Sequence, residues 1–435
     1  MGGYNLENFV FPLQQHIGAP AEVVVKEGDL VKRGQLLAAK PADKMGSNIF
    51  TSVSGKVTAV TDKAVTVEPA AEQSKEYIRL TQSEPLALIE EAGLVGLGGA
   101  GFPTYVKLGQ KLRPGGVVIA NASECEPILS HNIEAIEKNP QQFIRGLEIV
   151  MEVVGAPKGV IAIKDIHEEA AKALEANLKD SRITLHYLPN IYPVGDERAI
   201  VREVLDTLLD VTALPSAANA IVINAESVCR VQEAVDLKKP LIDKDMTVAG
   251  KINGELIQVF HDVPLGISVR AMIEKAGGIN GEYGEIIMGG PFMGKRVTLD
   301  DPVVKTTGGI LVTQEFMRGP KKIGLLVCAC GANQQRLEQI AASMGAEVTD
   351  VEFCKQAKLM KNGTRKCENP GHCPGHVQKV MAIKKSGADA ILISNCSDCS
   401  NTVMSCAPQL KLPVYHCTDG ALRAVNHKLI RRMKG

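Results

Sequence analysis

The chain carries no excess of charge of either sign, since 49 lysines and arginines meet 49 aspartates and glutamates in 435 residues. Without surplus positive charge there is nothing to neutralise a phosphate backbone or an anionic membrane surface, so nucleic acid is excluded as an expected partner. No apolar run reaches the roughly 18 residues that a spanning helix needs, and the N-terminus lacks a basic-then-apolar export pattern. The expectation is therefore a cytoplasmic protein with no membrane span. Internal repeats and low-complexity tracts are missing as well. Cysteine is almost missing from the first 320 residues, where only Cys125 and Cys229 occur.

What the first three quarters lack, the last quarter has. Nine of the 11 cysteines fall between Cys328 and Cys417. An odd total argues against a fully paired disulfide framework, and in a reducing compartment clustered thiols bind metal or perform thiol chemistry. The length exceeds what one hydrophobic core serves, so about two to four domains are expected. The patterning places them at 1–80, 81–240, 241–312 and 320–435.

The first unit is built of short β-runs, Val23-Val24-Val25, Val31, Leu36-Leu37 and Lys56-Val57, with glycine turns at close spacing, which predicts a small barrel or sandwich. It resembles a biotinyl/lipoyl hammerhead, and Lys44 stands about where a carrier lysine would; a solvated hairpin lysine is the favoured reading. In the second unit, helical periodicity alternates with β-branched runs at 116–120, 159–163 and 220–223, which predicts a parallel α/β sheet. The third returns to short strands around one helix that ends at Gly277-Gly278, an order that a β-grasp module fits.

The last unit is again α/β. Strands are expected at 323–327, 347–353, 390–394 and 412–416. Asn333 caps a helix that buries Leu337, Ile340, Ala341 and Met344. A closing helix opens at Asp419 and buries Leu422, Val425, Leu429 and Met433. Its basic end, Lys428, Arg431, Arg432 and Lys434, is read as a solvated terminus complementing the helix dipole.

Two motifs carry chemistry in the second unit. Gly96, Gly98, Gly99 and Gly101 place four glycines in six positions, leaving bare backbone that a phosphate or planar ring can approach, with Lys107 able to reach a phosphate as a point charge. A tight packing turn has the same composition. After the next strand comes Asn121-Ala122-Ser123-Glu124-Cys125-Glu126-Pro127, and strands of an open parallel sheet end at its ligand edge. An amide and two acids there suit ribose hydroxyls, an adenine amine or flavin ring nitrogens.

These motifs resemble the flavin and NADH site of the respiratory complex I flavoprotein subunit, and more closely the RnfC family of electron-transport subunits. Gln15 to Pro20, Tyr192 to Glu197, Asn224 to Ser227 and Gly289 to Gly294 recur in order, so the resemblance covers about residues 10–312. It implies NADH and FMN as cofactors, a barrel-sandwich hybrid at the N-terminus, a complex I flavoprotein-like α/β domain, and a β-grasp (SLBB) module. By it, Gly96, Gly98, Gly99, Gly101 and Lys107 would hold the FMN phosphate. Asn121, Glu124, Gly195, Asp196 and Asn224 would surround the ring and ribityl chain, and Glu126 and Glu197 would help seat NADH. Cys125 replaces a glycine of the complex I loop and is read as a buried thiol.

RnfC-like chains continue into two ferredoxin motifs, and this chain has neither. Its cysteines have their own register: Cys328 and Cys330 end the first expected strand, Cys354 follows the second, Cys396 and Cys399 the third, and Cys417 ends the fourth. If those strands are parallel, the thiols gather on one edge of one sheet, where helix N-termini lower thiol pKa. An iron–sulfur cluster, or a dithiol/disulfide pair at Cys328/Cys330 or Cys396/Cys399, fits that edge, with zinc third. Cys367 and Cys373 lie in a loop able to swing over the site, and the histidines beside them are read as loop polar groups, with metal ligation the second reading. The combination of an RnfC-like body with this end resembles the electron-transfer proteins associated with proline reductase, and the Cys-x-Cys-Gly opening is distantly similar to heterodisulfide reductase A subunits. The first resemblance implies delivery of NADH-derived electrons to D-proline reductase. A divergent Rnf-type membrane-complex subunit and a zinc-holding adaptor are the rival expectations.

Overall fold

The computed structural model describes residues 8–99 and 101–431. At the N-terminus, Phe9–Pro12, Ala64–Pro69, Gly55–Val60 and Leu30–Val31 form one antiparallel sheet, and Glu22–Val23, Leu36–Ala39 and Ile49–Phe50 form a second. Alternation holds each sheet to the core: Val65 and Val67 are fully buried, while Glu68 between Val67 and Pro69 points to solvent. Lys44 is exposed in a turn between strands.

The second unit contains a parallel sheet in the spatial order Ile183–Leu188, Lys158–Lys164, Val117–Ala122, Ala220–Asn224. The strand order reverses between Val117–Ala122 and Ala220–Asn224, the place where open α/β sheets bind ligands at their strand C-terminal ends. Asn121 and Asn224 pair directly across this reversal. Helix Pro140–Val154 backs the sheet with Phe143, Leu147, Val150 and Val154 buried at helical spacing, and Asn139 caps it by accepting from the Gln142 amide.

Asp243–Gly250 pairs antiparallel with Ile257–Pro264 and parallel with Gly309–Val312, which Ile286–Met288 and Lys295–Val297 extend to five strands. Helix Val269–Lys275 packs against this unit, capped by Ser268.

The cysteine-rich unit repeats the logic of the second. Glu347–Phe353, Lys322–Val327, Ala390–Ile393 and Val414–His416 form a wholly parallel sheet, in that order. The order reverses between Lys322–Val327 and Ala390–Ile393. All four expected strands are present, and Leu337, Ile340, Ala341 and Met344 are buried behind Asn333, whose side chain accepts from the Arg336 amide at 3.0 Å.

One element is shorter than its periodicity predicts. The last helix spans Asp419–Ala424 and does not continue through Leu429. Asn426 adopts a left-handed φ of 56°, and the amides of Asn426 and His427 return to the carbonyls of Arg423 and Leu422. That is a Schellman ending, and asparagine tolerates the conformation it needs. Leu422 is buried as expected, and Val425 and Leu429 still pack inward as partly buried loop residues. Ala100, Arg432, Met433 and Lys434 lie outside the described residues.

Candidate functional site

At the reversal of the second unit's sheet, the glycine loop lies over the start of helix Ala225–Asp236. Ser227 pins it, its Oγ accepting from the Leu97 amide at 3.1 Å and donating to the Val95 carbonyl at 3.2 Å. Asn224 caps the helix, accepting from the Ser227 amide at 3.2 Å, and its amide group covers Gly98 so closely that a Cβ there would stand 2.3 Å from Nδ2. Gly99 is the opposite case, because a Cβ built on it meets no atom within 4 Å. Its backbone faces open space.

Lys107 reaches the same edge, donating to the Val222 carbonyl at 2.9 Å and pairing with Glu197, whose side chain is 44% exposed. Asp196 caps helix Glu197–Leu205 by accepting from the Arg198 and Ala199 amides. Asn121 donates to the Gly195 carbonyl at 3.0 Å and accepts from the Ser123 amide and hydroxyl. Glu124 has a left-handed φ of 33° and accepts from Asn132 at 2.7 Å. Thus Gly98, Gly99, Lys107, Asn121, Gly195, Asp196, Glu197 and Asn224 share one strand edge. Gly96 closes the loop on itself, its amide bonding the Phe102 carbonyl at 2.9 Å, and the Gly101 carbonyl accepts from Ile17 of the N-terminal unit at 3.0 Å.

Glu126 faces elsewhere. Its carboxylate accepts from the Phe292 and Met293 amides at 2.9 and 2.8 Å, and any Cβ on Gly290 would collide with it. Burial pushes this carboxyl up to about 7, and the two amides draw it partly back. Its structural partner is the Gly289–Gly294 turn of the third unit. Cys125 packs against Gly195, and burial pushes its thiol up to about 12.

In the C-terminal unit, seven sulfurs form one contact network. Cys328, Cys354 and Cys399 touch one another; Cys330 touches Cys328 and Cys367; Cys373 and Cys396 touch Cys399. Parallel strand ends explain it: Cys328 and Cys354 follow adjacent strands, and the third strand leads into helix Ser397–Cys406, which carries Cys399 in its first turn with Cys396 as its cap. All eleven thiols are free. The thiols of Cys330, Cys354 and Cys399 donate toward Cys328 and hold it well below the ordinary thiol range, while Cys399 and Cys354 are raised by the same contact. Cys373 is held down to about 4, first by Cys399, with His376, Thr402 and the Gly375 amide adding to it.

Cys417 does not join them. It is buried in the core beneath helix Gln334–Ser343, and its Sγ lies 3.7 Å from His416 Nδ1. Its side chain turns onto the sheet face covered by Leu337 and Ile340, away from the core that holds the other thiols. Cys367 and Cys373, conversely, are members and not a swinging cover. Cys367 ends the hairpin strand Arg365–Cys367, which folds it back over Cys330, and Gly371 and Gly375 carry the chain through left-handed turns around Cys373. No strand periodicity announces that hairpin in the sequence; the only available signal is the density of Cys, His, Pro and Gly between 367 and 376.

The two edges meet in one buried core. Cys328, Cys330, Cys354, Cys367, Cys396 and Cys399 share it with Ile128 of the acidic loop, Tyr192 and Phe292. Tyr192 and Phe292 stack with centroids 3.6 Å apart and planes 4° from parallel, and His416 meets Phe292 edge-on. The Tyr192 amide donates to Ser397 Oγ at 3.0 Å, next to Cys396. Arg198 donates to the carbonyls of Cys367 and Glu368, and Arg202 to Asn369 and Pro370. From the other side, buried Arg336 pairs with Glu285 and donates to the Pro291, Gly294 and Cys417 carbonyls.

Comparison with known proteins agrees with this arrangement. Residues 89–233 match the family model of the Nuo51 FMN-binding domain, and residues 5–76 that of the RnfC barrel sandwich hybrid domain. The chain is 31% identical over 337 residues to a subunit of the proton-translocating ferredoxin:NAD(+) oxidoreductase complex of Clostridium ljungdahlii, covering 73% of each chain. It is 32% identical over 330 residues to the cobalamin reductase PduS of Salmonella typhimurium, covering 74% of this chain and 67% of that one. Against a subunit of the Na(+)-translocating ferredoxin:NAD(+) oxidoreductase complex of Acetobacterium woodii it is 32% identical over 334 residues, covering 71% of this chain and 74% of that one. With a barrel-sandwich start, an FMN-binding domain and relatives of this length and identity, the chain belongs to the RnfC family.

Proposed function

We propose that the protein carries electrons from NADH, through FMN at the glycine edge, to the thiol network, and on to a reductase that docks at the C-terminal unit. The observation that carries this reading is the shared core, in which Ile128 of the acidic loop, the Tyr192–Phe292 stack and six cysteines pack as one buried cluster. The open face of Gly99 and the cation at Lys107 fit an anionic, planar cofactor. When bound, FMN accepts a hydride and releases electrons singly, which no side chain does well.

Around it, the Gly98–Gly99 backbone and Lys107 would bind the phosphate, and Asn121, Asn224 and Asp196 would orient the remainder. Glu197, the exposed partner of Lys107, would help seat NADH. Glu126 acts through the turn it holds. In this reading residues 241–312 are an SLBB-type β-grasp module, 320–435 a redox domain, and the compartment the cytoplasm. Among the described residues no helix is long and apolar enough to cross a membrane. D-proline reductase is the acceptor suggested by the domain combination. The relatives named as parts of ion-translocating complexes favour a second reading, in which the chain docks on such an assembly.

Anaerobic stopped-flow kinetics separate the steps. Cys396→Ser should leave NADH-dependent flavin reduction intact and abolish transfer onward; equal loss of both would overturn this division. Co-purification with membrane subunits, and no acceleration of D-proline reductase, would transfer the case to the second reading.

A further inference from the structure

We infer that Cys354, Cys399 and His376, with a fourth thiol from Cys328 or Cys373, bind a single four-coordinate transition-metal ion, iron or zinc. A ring nitrogen of His376 and the sulfurs of Cys354 and Cys399 all lie within 4.8 Å of one another, and all three residues are buried. Two ligands on one ion, each bonded at about 2.0–2.3 Å, stand at most about 4.6 Å apart, so the trio needs only a small contraction to share a metal. Two thiols border the trio, Cys328 against Cys354 and Cys399 and Cys373 against Cys399 and His376, and one of them supplies the fourth donor. Cys330, which touches Cys328 and Cys367, meets none of the trio, and Cys396 meets only Cys399. Three thiolates and an imidazole suit zinc and iron over harder cations.

The second, independent observation is the imidazole itself. His376 is 1% exposed and its Nδ1 has no hydrogen-bond partner, an arrangement that buried nitrogens rarely adopt unless something takes the lone pair. Its Nε2 lies 3.1 Å from the side-chain amide of Asn395, whose own Oδ1 is also buried without a partner. With the Asn395 amide turned so that its oxygen accepts from Nε2–H, the tautomer is fixed and Nδ1 presents a lone pair. The trio stands on separate, rigid elements: a strand end, the first turn of helix Ser397–Cys406, and the residue before helix Val377–Lys385.

This assignment rests on the proposed electron path only for the identity of the ion. Iron would make the site a one-electron station, whereas zinc would make it a structural staple and leave transfer to the remaining thiols. The test uses the full chain purified anaerobically, with metal analysis followed by loading of the stripped protein with Co(II). One equivalent per chain is expected, with tetrahedral ligand-field bands and thiolate-to-cobalt charge transfer. His376→Ala should weaken Co(II) binding roughly 10- to 100-fold, and His376→Cys should restore it with added charge-transfer intensity. Cys229→Ala and Cys417→Ala should leave affinity and spectrum unchanged. Unaltered binding in His376→Ala, or absence of binding in the wild type, would overturn the site. Native zinc would uphold the site and remove the metal from the electron path; native iron would uphold both.

Discussion

Two parallel four-stranded sheets in this chain reverse their strand order at the same relative place, and candidate site residues gather at the strand ends of each. The contents differ. At the flavin edge the polar groups are satisfied by the surrounding protein: Asn224 caps a helix, Asn121 holds Gly195, and Lys107 pairs with Glu197. At the cysteine edge the sulfurs are satisfied mainly by one another. An edge built from side chains with fixed partners keeps its shape without a ligand and binds by offering open backbone. An edge built of mutually touching thiols has soft donors crowded against one another, the condition that a metal or an oxidation step relieves.

The largest expected effect tests the division between the edges. Cys399→Ser removes the sulfur common to most contacts, and onward electron transfer should fall roughly 100-fold or more while flavin reduction by NADH stays within about twofold; stopped-flow absorbance reads both. Arg336→Ala tests whether the edges are held together as one body. It leaves Glu285 buried beside the half-exposed Arg296 alone, and the loss should be about 3 kcal/mol in urea denaturation, with the C-terminal unit unfolding first.

The glycine pair sharpens the flavin side. Gly98→Ala drives a Cβ into Asn224 and should cost about 1–3 kcal/mol, whereas Gly99→Ala should change stability by less than about 0.5 kcal/mol yet weaken FMN binding, measured by fluorescence quenching. Phe292→Leu, which removes the stack between the edges, should cost about 1 kcal/mol. A pH slope probes the contact that Glu126 makes with the third unit. The folded-state value of Glu126 is raised to about 7 from an ordinary 4.5, so the folded protein holds a proton that the unfolded chain has released between these values. Stability should therefore decline as pH rises from about 4.5 to 7, and Glu126→Gln should flatten that decline in thermal melts.

Much of both edges was legible in the sequence because parallel α/β sheets concentrate function at strand ends, and strand ends can be read from β-branched runs. Cys328, Cys354, Cys396 and Cys399 come together for that reason, and Asn121 and Asn224 likewise. Cys417 obeys the same rule yet stands apart, because the rule gives the strand end and not the core into which the side chain turns, and Cys417 is buried beneath helix Gln334–Ser343. Cys367, Cys373 and His376 escaped the rule, since a three-residue hairpin strand and left-handed glycine turns bring them in.

The sequence by itself determined the units, the alternation of strand and helix, and the residue types offered at each strand end, because these depend on local propensity and periodicity. Only the tertiary structure decided that Glu126 would hold the Gly289–Gly294 turn, that Arg336 would bind across units, and that Tyr192 and Phe292 would stack between flavin domain and thiols. Those contacts join residues far apart along the chain, and no short-range pattern encodes which buried partner a carboxylate, a guanidinium or a ring will find once the units are packed.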